Sequence, residues 1–183
     1  MRPAPENRAI SQIGGGALGT CTFQLAVSAI ADRPLADLHA VLAAHVRKQA
    51  ARVEIGELAG VSHPHGVYLF YQPGTDTLMY AGKSTSRSFI ERVPAHFDSR
   101  KEAWMNYLPK HIMKRELCDY ATALAKALAL EVVLVGVDES LDGGQVEAVF
   151  RGYLKPVLNS TKRSFPGDMT LKSLCARPIC TIR

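Results

Sequence analysis

The chain contains 183 residues, of which 47% are apolar and 21% are charged, a composition that excludes an intrinsically disordered or fibrous protein. Its length is sufficient for one large domain with a sizeable hydrophobic core. The formal net charge of +5 is compatible with a nucleic-acid partner without requiring one, and no segment has the ~20 consecutive apolar residues of a membrane helix, so we expect no membrane span.

The N-terminal third is predicted to be a helical extension. Residues 1–20 are rich in Gly, Pro and Ala, and we expect little order at the very start. Pro34 suits a first helical position, and the apolar residues after it follow helical spacing to about Val53. We therefore divide the chain into an N-terminal helical extension, residues 1–61, and a main domain with a basic C-terminal segment, residues 62–183.

The cysteines show neither a Cys-x-x-Cys pair nor the spacing of a zinc site. They are Cys21, Cys118, Cys175 and Cys180. Reduced thiols in a reducing, cytoplasmic compartment are expected rather than disulfides.

A β-hairpin is predicted at the start of the main domain. Residues 67–71 and 78–81 are apolar and rich in aromatic side chains, which is typical of strands. Pro73-Gly74 between them suits a turn with proline at its first central position and glycine at its second. Because side chains alternate between the two faces of a strand, Tyr68 can stand beside a tyrosine of the second strand.

A helix with two functional candidates follows the hairpin. Residues 88–91, Ser-Phe-Ile-Glu, form a capping box that begins a helix predicted to continue toward residue 104. Arg92 and His96 lie one turn apart and would share a face of this helix. Pro94 between them removes one backbone hydrogen bond, so we expect a kink that can move His96 out of line with Arg92.

The next segment has two interpretations. Residues 101–115 interleave lysine and arginine with Trp104 and Tyr107. The segment can be a nucleic-acid contact, since the cations neutralise phosphates while the rings stack on bases. Alternatively, Trp104 and Tyr107 are core residues whose basic neighbours extend into solvent. The sequence does not favour either interpretation.

Three more elements complete the predicted domain. Residues 119–129 are rich in alanine and leucine and predict a helix, and residues 130–137 are a β-branched run typical of a buried strand. We expect this strand to pair with the hairpin. Residues 145–154 predict a helix that presents Glu147.

Two short motifs in the hairpin resemble the defining elements of the GIY-YIG nuclease superfamily. They are Gly66-Val67-Tyr68 and, twelve residues after Tyr68, Tyr80-Ala81-Gly82. The resemblance continues in family order with Arg92, His96, Glu147 and Asn159. It implies an α/β protein with the GIY-YIG nuclease fold, a small three-stranded antiparallel sheet flanked by helices. It also implies a metal-dependent endonuclease that hydrolyses DNA phosphodiester bonds.

The resemblance makes Glu147 the metal ligand, with Mg²⁺ (or Mn²⁺) as the cofactor. A lone carboxylate suffices, because Mg²⁺ keeps several waters and takes its remaining ligands from the substrate phosphate. Tyr68 can act as a general base only if its pKa falls well below ~10. Lys83, directly after Gly82, is placed to lower that pKa by favouring the phenolate.

The remaining members of the predicted catalytic set act on the phosphate or the water. Arg92 offers a planar fork of donors to phosphate oxygens. His96 can donate to the phosphate or relay a proton, and Tyr80 can orient the water or share the role of base. Asn159 closes the set that the resemblance implies.

Positive charge is concentrated toward the C-terminal end, as expected of a nucleic-acid-binding surface. Between residues 148 and 183, seven basic residues stand against the single acid Asp168. The residues predicted to contact nucleic acid are Lys110, Lys114, Arg115, Arg151, Lys155, Lys162 and Arg163. A basic segment can also be merely solvated.

Three functions remain open from the sequence. The first is a restriction endonuclease, because the compact size and the Tyr-x-Gly-Lys form resemble small restriction enzymes of the superfamily, which commonly act as homodimers. The second is a nuclease of DNA repair, recombination or mobile elements. The third is a non-catalytic nucleic-acid-binding protein that keeps the fold.

Overall fold

The computed structural model describes residues 20–176. The lead-in expected at the start of the chain therefore lies almost entirely outside the described residues, and Cys180 lies outside them too. Within that range the chain forms an α/β structure with one five-stranded sheet and seven α-helices. The strands are β1 (Gln24–Ala26), β2 (Lys48–Gln49), β3 (Gly66–Tyr71), β4 (Leu78–Ser84) and β5 (Glu131–Gly136). The helices are α1 (Leu38–Ala44), α2 (Ile55–Ala59), α3 (Phe89–Arg92), α4 (Tyr107–Glu116), α5 (Tyr120–Ala129), α6 (Gly143–Leu154) and α7 (Leu171–Cys175).

The centre of the sheet is the predicted hairpin together with the predicted buried strand. β3 lies between β4 and β5 and pairs antiparallel with both, so that Tyr68 lies opposite Gly82 on one side and Leu134 on the other. The sheet is larger than the three strands expected, because β1 and β2 pair along the remaining edge of β5. Strands of two or three residues carry no detectable alternation, and the sequence pattern did not predict them.

Each face of the sheet is covered by helices, and strand alternation decides which side chains meet which layer. Val67 and Leu69 point to an apolar cluster formed with α1, α6 and α7. Tyr68 and Phe70 point to a second cluster formed with α3, α4 and α5. We call these two sides the α6 face and the α4 face.

The hairpin turn forms as predicted. Gly74 has φ of +66°, a conformation that glycine adopts without steric cost. The backbone N–H of Thr75 donates to the carbonyl of Gln72 (3.2 Å), which closes a turn with Pro73 and Gly74 at its centre.

Two predicted helices are shorter in the structure. The helix expected from Pro34 to about Val53 is confined to α1, which is preceded by a 3-10 turn at Leu35–Asp37 and followed by β2 and a second turn at Ala50–Arg52. The helix expected to continue toward residue 104 ends at Arg92, and Pro94–Phe97 forms a separate 3-10 turn. Proline lacks the N–H that would continue α3, which explains this break.

Residues 20–61 are integrated with the rest of the described chain. Gln24 and Lys48 lie in strands that pair with β5. Phe23 and Leu58 are buried in the α4-face cluster, and Leu38 is buried in the α6-face cluster. The division of the chain at residue 61 stays a prediction, and the helices of this segment contribute to both sides of the core. Among residues 20–176, none of the helices is long and apolar enough to cross a membrane.

Candidate active site

Tyr68 is the centre of the site, and two glycines allow its position. Its side chain is fully buried on the α4 face. A Cβ atom on Gly82, directly opposite in β4, would overlap the Tyr68 ring, and a Cβ on Gly66 would overlap the carbonyl of Val135. Gly66 also has φ of +149°. Both motifs therefore require glycine: Gly82 leaves room for the Tyr68 ring, and Gly66 leaves room for the neighbouring backbone of β5.

His96 holds the hydroxyl of Tyr68 in a fixed hydrogen bond. The two groups lie 2.8 Å apart, from Nε2 to the hydroxyl oxygen. The backbone N–H of Leu108 donates to Nδ1 of His96 (3.3 Å), so Nδ1 is an acceptor and the proton resides on Nε2. His96 therefore donates to Tyr68, and the hydroxyl proton of Tyr68 is free to point elsewhere.

His96 is neutral at ordinary pH. Its side chain is inaccessible to solvent. This burial, together with the nearby cations of Arg92 and His111, lowers the pKa of His96 to about 3. The one N–H of the neutral ring is already donated to the Tyr68 hydroxyl, so in the free protein His96 has no N–H left to donate to a phosphate.

The break at Pro94 brings His96 to Tyr68 while Arg92 stays at the end of α3. The Arg92 guanidinium carbon lies 5.9 Å from the centre of the Tyr107 ring. Burial raises the pKa of Tyr68 well above its usual range, with Tyr80 and Glu147 adding to the rise and Arg92 opposing it. Arg92 is thus the cation that favours a Tyr68 phenolate.

Tyr80 lies beside Tyr68 on the same face. Their ring centroids are 6.4 Å apart and the rings are stacked, and the Tyr80 ring lies 5.6 Å from that of His96. Burial raises the pKa of Tyr80 to about 12, and the Glu147 carboxylate contributes to this rise. Both tyrosines are therefore protonated at neutral pH in the free protein.

His111 belongs to the same cluster, although the sequence placed it only among the residues of a basic segment. Its ring centroid lies 5.8 Å from that of Tyr80. Partial burial lowers the pKa of His111, and Lys114 and Arg151 lower it further. No motif marks His111, because its place depends on how α4 packs against the sheet.

Glu147 approaches the tyrosines from α6. Its side chain is only 13% exposed, and Arg151, one turn later, donates to its Oε1 (3.2 Å). Arg151 also donates to the carbonyl of Ser160 (2.6 Å). The charge of Glu147 acts on both Tyr68 and Tyr80, so one carboxylate, two tyrosines and Arg92 converge.

Glu147 fits a magnesium ion as a single protein ligand. Among residues 20–176, no group of three or more His, Cys, Asp and Glu side chains could hold a metal. An ion at this site would therefore depend on Glu147, water and the oxygens of a bound phosphate, which is a coordination set that Mg²⁺ accepts. Arg151 bonds to one carboxylate oxygen, Oε1, so the metal would have to be held by the other.

Lys83 does not point toward the Tyr68 hydroxyl, contrary to the placement expected from the sequence. Lys83 lies opposite Val67 in the ladder, so its side chain leaves the sheet on the α6 face. Its Nζ is 3.4 Å from the position of an ideal Cβ on Gly144. The pKa of Tyr68 is raised because burial outweighs the nearby cation.

The side chain of Asn159 holds the backbone of β4. Its side-chain amide accepts from the backbone N–H of Ala81 (2.7 Å) and donates to the carbonyl of the same residue (3.1 Å). Ala81 lies between Tyr80 and Gly82, so Asn159 fixes the β4 backbone at the second motif. Asn159 is therefore a positioning residue.

The residues predicted to contact nucleic acid fall into two groups. Three have structural partners: Lys110 donates to Ala103, Arg115 donates to Val157, and Arg151 donates to Glu147 and Ser160. The other four are exposed: Lys114, Lys155, Lys162 and Arg163. The exposed group is the part of this surface that is free to meet phosphates.

Trp104 and Tyr107 are not core residues. Trp104 is 65% exposed and Tyr107 is 38% exposed. The structure thus excludes one of the two interpretations of the basic and aromatic segment.

Comparisons with known proteins identify no similar protein. Neither the family models nor the curated proteins nor the solved structures give a match to this chain.

Proposed function

We propose that the protein is a metal-dependent endonuclease that hydrolyses phosphodiester bonds in DNA, with the GIY-YIG nuclease fold. The observation that carries the proposal is the convergence on Tyr68. Its hydroxyl is bonded to a neutral His96, and the charges of Arg92 and Glu147 act on it together with Tyr80. These groups come from β3, β4, α3, the turn after α3, and α6, which are five separate elements whose side chains act on one buried hydroxyl.

Tyr68 is proposed to accept the proton of the attacking water. The Nε2–H of His96 donates to the hydroxyl oxygen, and a hydrogen bond of this kind stabilises a phenolate. The positive charge of Arg92 acts in the same direction. In the free protein burial outweighs both, so Tyr68 would have to release its own hydroxyl proton to bulk water before its oxygen could accept a proton from the attacking water.

A Mg²⁺ ion, if bound at Glu147, would supply positive charge to the phosphate and would acidify its bound water. Glu147 would hold this ion, with Arg151 fixing the carboxylate. Arg92 would bind a phosphate oxygen through its planar fork. Tyr80, protonated because its pKa is about 12, would donate its hydroxyl proton in a hydrogen bond to the phosphate or the water.

DNA binding is proposed to rest on exposed cations of α4 and of the segment that follows α6. Lys114, Lys155, Lys162 and Arg163 are exposed, and each phosphate that they neutralise releases counterions. Binding should therefore weaken steeply as the salt concentration rises.

The test compares two glutamates of the same region. Glu147→Gln keeps an acceptor for Arg151 but removes the charge that would hold the metal. We expect it to lose plasmid cleavage in Mg²⁺ while retaining DNA affinity in a mobility-shift assay. Glu139→Gln, an exposed residue shortly before α6, is the matched control and should cleave like the wild type.

Two results would contradict the proposal. If the wild type leaves supercoiled and single-stranded DNA intact in both Mg²⁺ and Mn²⁺, the protein is not a metal-dependent DNA endonuclease. If Glu147→Gln cleaves at the wild-type rate, the metal does not depend on this carboxylate.

A further inference from the structure

The most exposed aromatic group near the site is Trp104. It is the only tryptophan in the sequence and is 65% exposed. An indole is among the largest apolar surfaces that a side chain can bury, and it is usually at least partly covered. An indole left in water beside a candidate active site is therefore a candidate binding surface.

The loop that presents Trp104 is held in place on both sides of it. Lys110 donates from Nζ to the carbonyl of Ala103 (2.6 Å), the residue directly before Trp104. Asn106, two residues after it, is fully buried and donates to the carbonyl of Arg100 (2.9 Å). A side chain on such a fixed backbone loses little entropy when it contacts a ligand.

Trp104 lines a cleft that shares Arg92 with the candidate active site. The lining of this cleft contains three cations, Lys83, Arg87 and Arg92, and no acidic side chain. Arg92 also acts on the hydroxyl of Tyr68. The Arg87 guanidinium carbon lies 5.6 Å from the centre of the indole ring. Trp104 also lines a second cavity, beside Ala95, so the indole is approached from more than one direction.

Building on the proposed nuclease function, we propose that Trp104 stacks on an unpaired nucleobase next to the scissile phosphate. Lys83 and Arg87 would neutralise the adjoining phosphates. In a paired duplex the faces of each base are covered by its neighbours, whereas an unpaired base offers a free face to an aromatic side chain. The preferred substrate is therefore DNA with an unpaired nucleotide at the position of cleavage.

Because Trp104 is the sole tryptophan, its fluorescence reports on this site alone. Three probes would be titrated into the full chain in the presence of a metal chelator. They are a short perfect duplex, the same duplex with one extra unpaired adenine, and that bulged duplex with an abasic site in place of the adenine. We expect strong quenching only by the bulged adenine. Equal quenching by all three probes would overturn the proposal.

Variants separate stacking from general binding. Trp104→Ala should weaken binding of the bulged adenine probe roughly tenfold and leave binding of the perfect duplex and abasic probes within about twofold of the wild type. Trp104→Phe should retain most of the preference, because a phenyl ring still stacks. Leu117→Ala is the matched control: Leu117 is 91% exposed and lies at the far end of α4, about 15 Å from its start. Loss of affinity for all probes alike in Trp104→Ala would show that the residue only supports the surface.

The binding assays test the stacking site, and the cleavage assays test the nuclease function, so either proposal can be contradicted without the other. If the bulged adenine quenches Trp104 and no DNA is cut in Mg²⁺, the stacking site stands and the nuclease function falls. If paired and bulged duplexes are cut at the same rate with no change in fluorescence, the nuclease function stands and the stacking site falls.

Discussion

The two faces of the central hairpin differ in chemistry although they are made by the same strands. On the α6 face, β3 contributes Val67 and Leu69, which pack in a cluster of apolar side chains. On the α4 face, the same strand contributes Tyr68, whose hydroxyl is bonded to the buried His96. One face is wholly apolar at these positions, and the other buries the hydrogen-bonded hydroxyl on which the proposed reaction depends.

This difference shows why adjacent residues of one strand should respond differently to substitution. An apolar side chain lost from the α6 face leaves a cavity, and the cost is stability. A hydroxyl lost from the α4 face leaves the packing nearly intact, and the cost is chemistry. The predictions below test this separation.

The largest effect is expected from Tyr68→Phe, which should reduce the single-turnover cleavage rate about a thousandfold because the proton acceptor is removed. Its free energy of unfolding should fall by only about 1–2 kcal/mol, since the Nε2–H of His96 loses its acceptor. Tyr71→Phe is the matched control, because Tyr71 is a buried tyrosine of β3 on the α6 face. It should cleave like the wild type.

Leu69→Ala provides the opposite half of the comparison. It should lower the free energy of unfolding by about 2–5 kcal/mol and leave the cleavage rate nearly unchanged at a temperature well below its melting point. Urea unfolding and single-turnover kinetics on both variants give the result. Slow cleavage by folded Leu69→Ala, or fast cleavage by Tyr68→Phe, would break the assignment of one role to each face.

An intermediate effect is expected in the pH dependence of the free energy of unfolding, through His96. The pKa of His96 is about 3 in the folded protein and ~6.5 in an unfolded chain. As the pH falls, the unfolded chain binds this proton first. The stability that His96 contributes is therefore complete above ~6.5 and is lost as the pH falls toward 3, by about 1.4 kcal/mol per pH unit.

His96→Gln should lack this part of the pH dependence, because glutamine does not titrate. The measurement is urea unfolding of the wild type and the variant between pH 7 and pH 4, about two and a half units below the ordinary histidine pKa. His39→Gln, a substitution of an exposed histidine in α1, is the control and should keep the wild-type slope. Parallel curves for the wild type and His96→Gln would show that His96 is not held neutral by burial.

The smallest effect is expected from Lys83→Met. Because Lys83 leaves the sheet on the α6 face, the pH at which the cleavage rate levels off should not change. DNA affinity should fall by roughly two- to fivefold through the loss of one phosphate contact. Lys172→Met, in α7, should change neither quantity. A higher pH for the plateau in Lys83→Met would restore the role that the sequence suggested for this lysine.

Local sequence signals predicted the hairpin and the elements with strong periodicity. Pro73-Gly74 determines its turn because only certain residues suit those two positions. The helix start at Ser88 likewise forms, and the backbone N–H of Ser88 donates to the Glu91 carboxylate (3.0 Å). β1 and β2 were missed because they exist through pairing with β5, which is distant in sequence. The helix predicted after Pro34 was too long because some apolar residues that fit its helical spacing lie instead in the neighbouring turns.

The sequence predicted which residues belong to the candidate site but not what each of them contacts. Motif order brought Tyr68, Glu147 and Asn159 into one set, yet the partner of Asn159 is a backbone 78 residues away. The face to which Lys83 points depends on strand register, which the sequence leaves undetermined. His111 depends on helix packing, for which no local pattern exists.

The contact between Asn159 and β4 has a consequence for self-association. β4 is an edge strand, and an open edge can pair with a strand of another molecule and start aggregation. Here Val157 and Leu158 donate backbone hydrogen bonds to Leu78 and Met79 (3.0 and 2.8 Å), and Asn159 occupies both backbone groups of Ala81. The chain thus covers its own edge along the strand that carries Tyr80. A second copy could dock through other surfaces, but it could not extend the sheet at these residues without first displacing this segment.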